Sequence, residues 1–505
     1  MIDTSFCLTS FLLMPINKNN MKNKKISFFL IFLIGIVLID CSIVLGDEKT
    51  QKIGVVIFNE KKTDHGYRLY SSRNLTAAHL ISPKGRYVHS WYYSHEEDEV
   101  TSSFGGFGMT WHYAEMLPNG HLIAIVKDEM IVELDWESNL VWKQRLRAHH
   151  DFSRGSEGNT IVISRKDMPN PWWPGNIIAM DELVEYNDES KIVWKWRYAD
   201  HYKDQPELKD YLPPEKSKRD WPHINTCEIL PENPIGKKDK IFKKGNLLLC
   251  GAHADAIMVL DRGTENIVWV WGPGIIEGPH MPNMLPNGNL LIYDNGRYRG
   301  YTKIIELNPI TKKIVWEYGS NKEFFSPARG SALRMGNGNT LTANSDNGWF
   351  FEVTPEGEKV WEYYNPDLTE KGDRMGLYRT LPYKKKLVDK LLKKHGKTYY
   401  ERNNKSSFIK KAGLSDHLME IIRRIESGYL DKAHTWLNQE GLETLSERER
   451  TFAYSFLYAV RKDIKRSLQN MKKSIEAGMP EMVFSIDFSD LFKPLTNHHD
   501  FIIDK

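Results

Sequence analysis

One signature recurs six times along this chain of 505 residues, and it limits the fold more than any other feature. A short apolar stretch ends in tryptophan at Trp91 (YVHSW), Trp142 (NLVWKQ), Trp194 (KIVWKW), Trp269 (NIVWVW), Trp316 (KIVWEY) and Trp361 (KVWEYY). Successive tryptophans stand 51, 52, 75, 47 and 45 residues apart, the length of a four-stranded propeller blade. The long interval holds YLPPEKSKRDWP and NPIGKKDKIFKKGN, which read as loops from their Pro, Gly and Lys content. Each unit has the same grammar. A first strand runs into LPNG (117–120 and 285–288) or MGNG (335–338), a second strand such as NLLIYDN follows, a third such as KIIELNP, and the fourth carries the tryptophan. Asn-Gly favours a two-residue hairpin turn with positive φ at both central positions. No unit buries both of its faces alone, so neighbours must stack.

Six signals predict an all-β six-bladed β-propeller, followed by a small α-helical C-terminal domain. The strand GLYRTLPY (376–383) lies beyond the last tryptophan and is expected to close the ring against the N-terminal strands. An open β-solenoid is the competing architecture. The domain reading is a signal peptide or N-terminal anchor over 1–46, the propeller over 47–382, a basic linker over 383–412 and a helical cap over 413–505. KKKLVDKLLKKHGK in the linker reads as a solvated helix face, or as a contact for an anionic partner. RERTFAYSFLYAVRKDIKRSLQNMKKSIEAGMP resembles one tetratricopeptide unit, with Tyr454, Tyr458, Met471 and Ser474 on facing sides of two helices and a turn at Lys462-Asp463. A protein partner is expected at this cap.

The N-terminus reads as an export segment. Lys22, Lys24 and Lys25 precede ISFFLIFLIGIVLI (26–39), an apolar run of signal-peptide length. An uncleaved membrane anchor is the alternative, and either way the rest of the chain stands outside the cytoplasm, in the periplasm or beyond. LIDC, ending at Cys41, hints at a lipoprotein box. Cys227 and Cys250 are expected on neighbouring strands, to pair in an oxidising compartment or to stand as two small buried residues. A net charge of +3 gives no field that calls for nucleic acid.

The candidate site comes from register. His112, His150 and His280 each lie 8 residues before a turn glycine (Gly120, Gly158 and Gly288). Aligned on Leu-Pro, Asn225 of DWPHIN takes the same place, with His223 two residues earlier on the same strand face. In the last unit that position is Gly330, beside Arg329. Innermost strands begin at one mouth of the axial channel, so equal register means equal depth. The mouth is therefore expected to gather His112, His150, His223, Asn225, His280 and Arg329, with Arg297 and Arg299 reaching it from DNGRYRG. The plain alternative is a set of strand caps that bind water. Imidazoles with a guanidinium suit an anion, since Arg offers a planar fork to sulfate or phosphate oxygens and neutral His can act as nucleophile or base. No cofactor and no metal are expected: no carboxylate shares the register and no His-x-His spacing occurs.

DWPHINTCEILP, VLDRGTENIVWVWGPG, GPHMPNMLPNGNLLIYDNG, RGSALRMGNGNTL and GWFFEVTPEGEKVWEYYNP together resemble the bacterial arylsulfotransferases, over about residues 54–382. The resemblance implies a six-bladed periplasmic propeller. It also implies transfer of a sulfuryl group from an aryl sulfate to a phenol, without a nucleotide donor, through a transiently sulfated channel histidine. The family's Asp-Trp-x-His-x-Asn motif maps onto Asp220, Trp221, His223 and Asn225, and its second channel histidine onto His280. The expected catalytic residues are His280 as nucleophile, His223 and Arg329; His112, His150, Asn225, Arg297 and Arg299 are expected to bind substrate. There are two departures. The family's Ser-Arg is replaced by the CGAH stretch from Cys250 to His253, and the late-blade nucleophilic histidine is missing, with no histidine between 281 and 394. The alternative function is a non-catalytic propeller that binds an anionic or aromatic ligand, with the helical cap as an interaction module. LDRGTENIVW distantly echoes the quinoprotein dehydrogenases, but those rings have eight blades.

Overall fold

The computed structural model describes residues 52–73, 75–93, 110–156, 158–201, 219–319, 322–367 and 373–395. In the C-terminal segment it describes 418, 421–422, 425, 430–438, 445–461 and 463–477. The expected export segment with Cys7 and Cys41, most of the expected basic linker (beyond residue 395), and Lys462 lie outside the described residues.

Six antiparallel sheets form the blades of a closed propeller. Blade II is Trp111–Met116, Leu122–Val126, Met130–Leu134 and Leu140–Arg145; blade III is Ala148–Arg154, Thr160–Pro169, Ile177–Tyr186 and Ile192–Arg197. Blade IV is Ile224–Ile229, Leu247–Gly251, Ala256–Asp261 and Asn266–Trp271; blade V is His280–Met284, Leu290–Asp294, Lys303–Asn308 and Lys313–Tyr318. Blades I and VI interlock the two ends of the ring. Leu377–Tyr383 is the inner strand of blade I and pairs with Tyr67–Ser72, from Tyr67 opposite Tyr383 to Ser72 opposite Leu377; Ala77–Ile81 and Tyr87–Tyr92 complete that blade. Gly54–Phe58 in turn adds a fifth, outermost strand to blade VI (Ala332–Arg334, Thr340–Asn344, Trp349–Val353, Lys359–Tyr364). The expected closure by 376–383 is what forms.

The repeated tryptophan is a rivet between blades. Each sits on the fourth strand of its blade, counted from the axis, and four of them donate the indole N–H to the outer hairpin of the next blade. Trp142 reaches Ser190 Oγ at 2.5 Å, Trp194 reaches Glu265 Oε1 at 2.8 Å, Trp316 the Pro355 carbonyl at 2.7 Å, and Trp361 the Pro83 carbonyl at 2.6 Å. The Trp361 bond crosses the seam from blade VI to blade I. Aliphatic second and third strands, such as Leu122–Val126 and Leu290–Asp294, are buried along their whole length because both faces meet a neighbouring blade.

The Asn-Gly turns differ from expectation. Gly120, Gly288 and Gly338 have φ near +90°, but Asn119, Asn287 and Asn337 do not lie at positive φ. The Gly120 amide donates to the Leu117 carbonyl and the Leu117 amide to the His121 carbonyl. This is a type I turn followed by one left-handed glycine, the three-residue hairpin. At two of these turns Pro118 and Pro286 explain it: a proline φ near −65° suits the first central position of a type I turn and is incompatible with the positive φ of the two-residue form.

Cys227 and Cys250 are on neighbouring strands, but Cys227 stands opposite Leu249 and Cys250 opposite Thr226. This one-residue offset points the thiols to opposite faces. Both are free and buried.

Beyond the ring, the helix Lys385–His395 lays Val388, Leu391 and Leu392 on the core of blades I and II, with Tyr67 Oη donating to Asp389 Oδ1 at 2.8 Å. Only one face of this basic segment is therefore solvated. Further on, Glu447–Val460 and Ile464–Glu476 form an antiparallel hairpin. Ser455 Oγ donates to the Ser467 carbonyl at 3.0 Å, and Ser474 Oγ to the Arg448 carbonyl at 2.7 Å. With Leu430–Asn438 it shares a core of Leu437, Phe452, Phe456, Leu457 and Met471. Among the described residues no helix is long and apolar enough to cross a membrane.

Candidate functional site

Five inner strands carry an irregularity at the same height. Pairing in blade II skips His112; in blade III it skips His149–Asp151; in blade IV, Asn225; in blade V, Met281–Pro282; and in blade I, Tyr378–Arg379. A bulge kinks a strand and re-aims the side chain it carries. His150 and His223 take φ of +61°, which for a non-glycine residue is strained backbone retained where the surroundings demand it. These bulges gather polar side chains at the start of the inner strands, where a regular pleat would send alternate residues into the blade interfaces.

Three of the histidines expected at the mouth are in contact. The rings of His112 and His150 lie 4.6 Å apart, and those of His150 and His223 lie 4.7 Å apart. His253 stacks on His223 at 4.4 Å, and Tyr378 stacks on His112 at 5.0 Å and 5°. His149, fully buried, places Nδ1 2.7 Å from His150 Nδ1. His280 is 2% exposed, and charge interactions link it to His150, His223 and Arg379.

Each imidazole is in a different state. His280 Nδ1 is 2.8 Å from Asn295 Oδ1 and 3.0 Å from the Gly278 carbonyl. Asn295 spends its amide hydrogens on the carbonyls of Ser326 (2.6 Å) and Arg329 (2.9 Å), so its oxygen faces His280. Two acceptors at Nδ1 put the proton there and leave the lone pair on Nε2. Burial pushes the pKa of His280 down to about 3, with the Arg379 charge adding to it, so the ring is neutral. His112 is neutral in the opposite tautomer. Its Nδ1 accepts from the His150 amide at 3.1 Å, and burial with the charge of Lys127 holds its pKa well below the ordinary value. His223 goes the other way. Burial disfavours its charge, but Asp220, 2.6 Å from Nδ1, outweighs burial and raises its pKa. Burial likewise pushes Asp220 up, yet the charge of His223 holds it well below the carboxylate range. The Asp220 carboxylate thus favours the charged form of His223, while burial keeps His280, linked to His223 by charge, neutral.

Arg379 and Asp151 form a buried pair at 2.9 Å. Arg379 Nη2 also donates to the Asn225 carbonyl (2.9 Å) and Thr226 Oγ1 (3.2 Å), tying blade I to blade IV across the axis. Nothing in the spacing pointed to Arg379, because it lies on the closing strand, outside the six-unit register. Asn295 was equally silent, and His253 read only as the loss of an arginine.

Of the other expected residues, Asn225 is fully buried and straps blade IV to blade V through the Pro279 carbonyl at 2.8 Å, immediately before His280. Trp221 is core. Arg329 pairs with Asp346 Oδ1 at 2.5 Å, and its charge bears on His112. Arg297 packs on the Gly278 bend. Arg299 is held by Asp294 at 2.8 Å and lies over the Tyr301 ring, so it is committed within blade V.

Gly330 explains the missing late-blade histidine. Its φ is +157°, and a Cβ there would stand 2.1 Å from the Tyr293 ring, whose hydroxyl donates to the Ala343 carbonyl at 2.7 Å. The space a side chain would need is occupied. Gly330→Ala is expected to cost at least about 1–3 kcal/mol by overpacking, measured by denaturant unfolding; a neutral result would show that the Tyr293 ring yields.

Asp220, His223 and His253 also offer ligand atoms within 4.8 Å of one another, a set that could hold a transition-metal ion. Asp220 Oδ1 is buried without a hydrogen bond, but His253 Nδ1 is engaged with the Asp220 carbonyl at 2.9 Å, so a metal would have to compete for both partners of Asp220.

The arylsulfotransferase (ASST) family model matches residues 84–275, from the outer hairpin of blade I to the end of blade IV, and over that span the chain is arylsulfotransferase-like. The match includes His112, His150 and the DWPHIN motif. No curated protein matches the chain. Among solved structures, a Bacteroides caccae protein of unknown function is 12% identical, covering 63% of this chain and 98% of its own, with a TM-score of 0.39. The virginiamycin B lyase of Staphylococcus aureus is 12% identical, covering 50% and 69%, with a TM-score of 0.31. At these scores the likeness says nothing about activity.

Proposed function

We propose that this propeller transfers a sulfuryl group from an aryl sulfate to a phenol, with His280 as nucleophile and the His223–Asp220 pair as acid and base. The observation that carries the reading is the opposite tuning of two histidines at one mouth, one held neutral with Nε2 unprotonated and one held protonated. Pairs of groups whose environments push their pKa values apart mark acid and nucleophile assignments.

In the first half-reaction Nε2 of His280 bonds to sulfur, the S–O(aryl) bond breaks, and the departing oxygen takes the proton from His223. The sulfated His280 keeps its Nδ1 proton, and the developing positive charge is met by Asn295 Oδ1 and the Gly278 carbonyl. In the second half-reaction the acceptor phenol gives its proton to His223 and its oxygen takes the sulfuryl group. Arg329 supplies a cationic donor to the sulfuryl oxygens. Export supports access to such substrates, and the apolar run at 26–39 is its sequence basis.

The test is release of a chromogenic phenol from its sulfate ester by the purified propeller, dependent on an added phenol. Asp220→Asn checks the acid directly. A general acid works only while protonated, so activity falls as pH rises through the pKa of His223. Removing the carboxylate that raises this pKa should move the alkaline limb of the rate profile to lower pH and cut the rate roughly 10²-fold or more. An unmoved limb would remove His223 from the acid role.

One observation favours a second reading, a propeller that holds an anionic aromatic ligand without turning it over. At the register of the family's late-blade histidine, this chain has Gly330, packed against Tyr293. Binding of aryl sulfates with no turnover of any would establish it.

A further inference from the structure

We propose that His150 is the base for the acceptor: its Nε2 takes the hydroxyl hydrogen of the incoming phenol, and His149 and Asp181 hold it in the tautomer that can do so. The base role rests on the sulfuryl-transfer reading; acceptance of a hydroxyl hydrogen bond does not.

Two consecutive histidines stand near the start of the inner strand of blade III, and they occupy different surroundings. The pairing there skips His149–Asp151, and His150 takes φ of +61°. His149 is fully buried, beside Asp181 of the third strand. His150 is half-buried, with the rings of His112 and His223 at 4.6 and 4.7 Å.

The carboxylate and the two imidazoles form a line. Asp181 is fully buried, and its Oδ1 lies 3.3 Å from His149 Nε2. Its Oδ2 accepts from the Ile224 amide at 2.6 Å, next to His223. His149 Nδ1 lies 2.7 Å from His150 Nδ1, and only one hydrogen fits between those nitrogens. An ionised carboxylate only accepts, so Nε2 of His149 carries its hydrogen and its Nδ1 keeps the lone pair. The shared hydrogen therefore belongs to His150 Nδ1, and the lone pair of His150 falls on Nε2. His150 spends Nδ1 on His149 and its amide on His112, and among the described residues its Nε2 makes no hydrogen bond. Burial, then the charges of His112 and His223, holds the pKa of His150 well below the ordinary value, so the ring is neutral.

A phenol at the mouth donates its hydroxyl hydrogen to this lone pair. In the second half-reaction the O–H bond breaks toward His150 Nε2 and the phenol oxygen bonds to sulfur. The S–N bond breaks and returns its electron pair to His280 Nε2. Burial disfavours charge on His150 and His223 alike, but at His223 the Asp220 carboxylate outweighs it. The proton therefore passes on to His223, which had given its own to the first phenolate. The acceptor's proton thus reaches His223 by way of His150, and both rings return to their starting states.

Asp181→Asn tests the line without removing a ring. The Ile224 amide still needs an acceptor, so the amide side chain turns its oxygen there and its NH2 toward His149 Nε2. Each hydrogen along the line then moves to the other nitrogen of its ring, and His150 Nε2 becomes a donor. By titration calorimetry with no sulfate ester present, 4-methylphenol should bind the wild type roughly fivefold or more tightly than its methyl ether. The preference should vanish in Asp181→Asn and in His150→Phe, which keeps a ring at that place. A preference caused only by the bulk of the ether's methyl group would survive both. With an aryl sulfate added, acceptor-dependent turnover in Asp181→Asn should fall roughly 10²-fold or more, further than the initial burst of released phenol. Equal binding of phenol and ether by the wild type would overturn the proposal, as would a preference that survives either substitution. Undiminished turnover in Asp181→Asn would overturn the base role. If the preference behaves as expected but no sulfate ester is turned over, the hydroxyl site stands and sulfuryl transfer falls.

Discussion

His280→Ala is expected to lower kcat/KM for sulfuryl transfer by roughly 10⁴-fold or more, and to abolish any acid-labile sulfated enzyme. The magnitude follows from what the ring supplies. His280 is the buried imidazole whose tautomer is set by two acceptors on Nδ1, so its Nε2 lone pair is available without a proton transfer. Alanine removes the bond-forming atom; His112 presents N–H at Nε2 and the Asp220 carboxylate raises the pKa of His223, so neither offers the same free lone pair. His112→Ala should mainly weaken binding. Steady-state rates and acid quenching of enzyme mixed with radiolabelled aryl sulfate separate the two outcomes. Full turnover in His280→Ala would end the assignment. Asn295→Ala frees the tautomer while keeping the ring, and should lie between wild type and His280→Ala.

Arg68→Ala is expected to destabilise the propeller by about 3–5 kcal/mol, because it strands a buried carboxylate. Arg68 and Glu352 pair at 2.7 Å with both side chains fully buried, across the seam where blade I meets blade VI. Arg68 also donates to the Gly66 and Asp64 carbonyls and lies over the Trp361 ring at 4.7 Å. Glu352 gathers the Asp64 amide and Asn339 as well. One substitution thus loosens several ties between the first and last blades. Urea unfolding measures the loss. The double variant Arg68→Met/Glu352→Leu, which removes both charges together, should recover much of it. A wild-type midpoint for Arg68→Ala would show that the seam is held by strand pairing alone.

Pattern carried a large part of this protein. The tryptophan period counts blades because each blade must present one rivet to the next, and the orphan strand 376–383 signals closure because a strand with no partner in its own unit must find one elsewhere. Register put His112, His150 and His280 at equal distance from a turn glycine, with Asn225 at the same place and His223 two residues before it; ring contacts join His112, His150 and His223. DWPHIN concentrates polar chemistry because it opens an inner strand; its Asp and His form the charged pair, while its Trp and Asn are structural.

Local sequence could not show what the ring brings together. Arg379 and Tyr378 reach the channel only because the last strand returns beside the first. Asn295, which sets the tautomer of His280, meets it across a hairpin with no motif. The bulges that turn the inner strands' side chains toward the axis leave no fixed spelling, since they arise where a pleat must bend to close. The state of each imidazole was also beyond reach: His223 and His280 are the same residue type, and burial with or without a carboxylate partner raises the pKa of one and lowers that of the other. The sequence by itself determined the number of blades and their order, because these follow from period and hydrophobic pattern. Only the tertiary structure decided protonation, tautomer and the absence of room for a side chain at Gly330, because each depends on which atoms from other blades occupy the adjoining space.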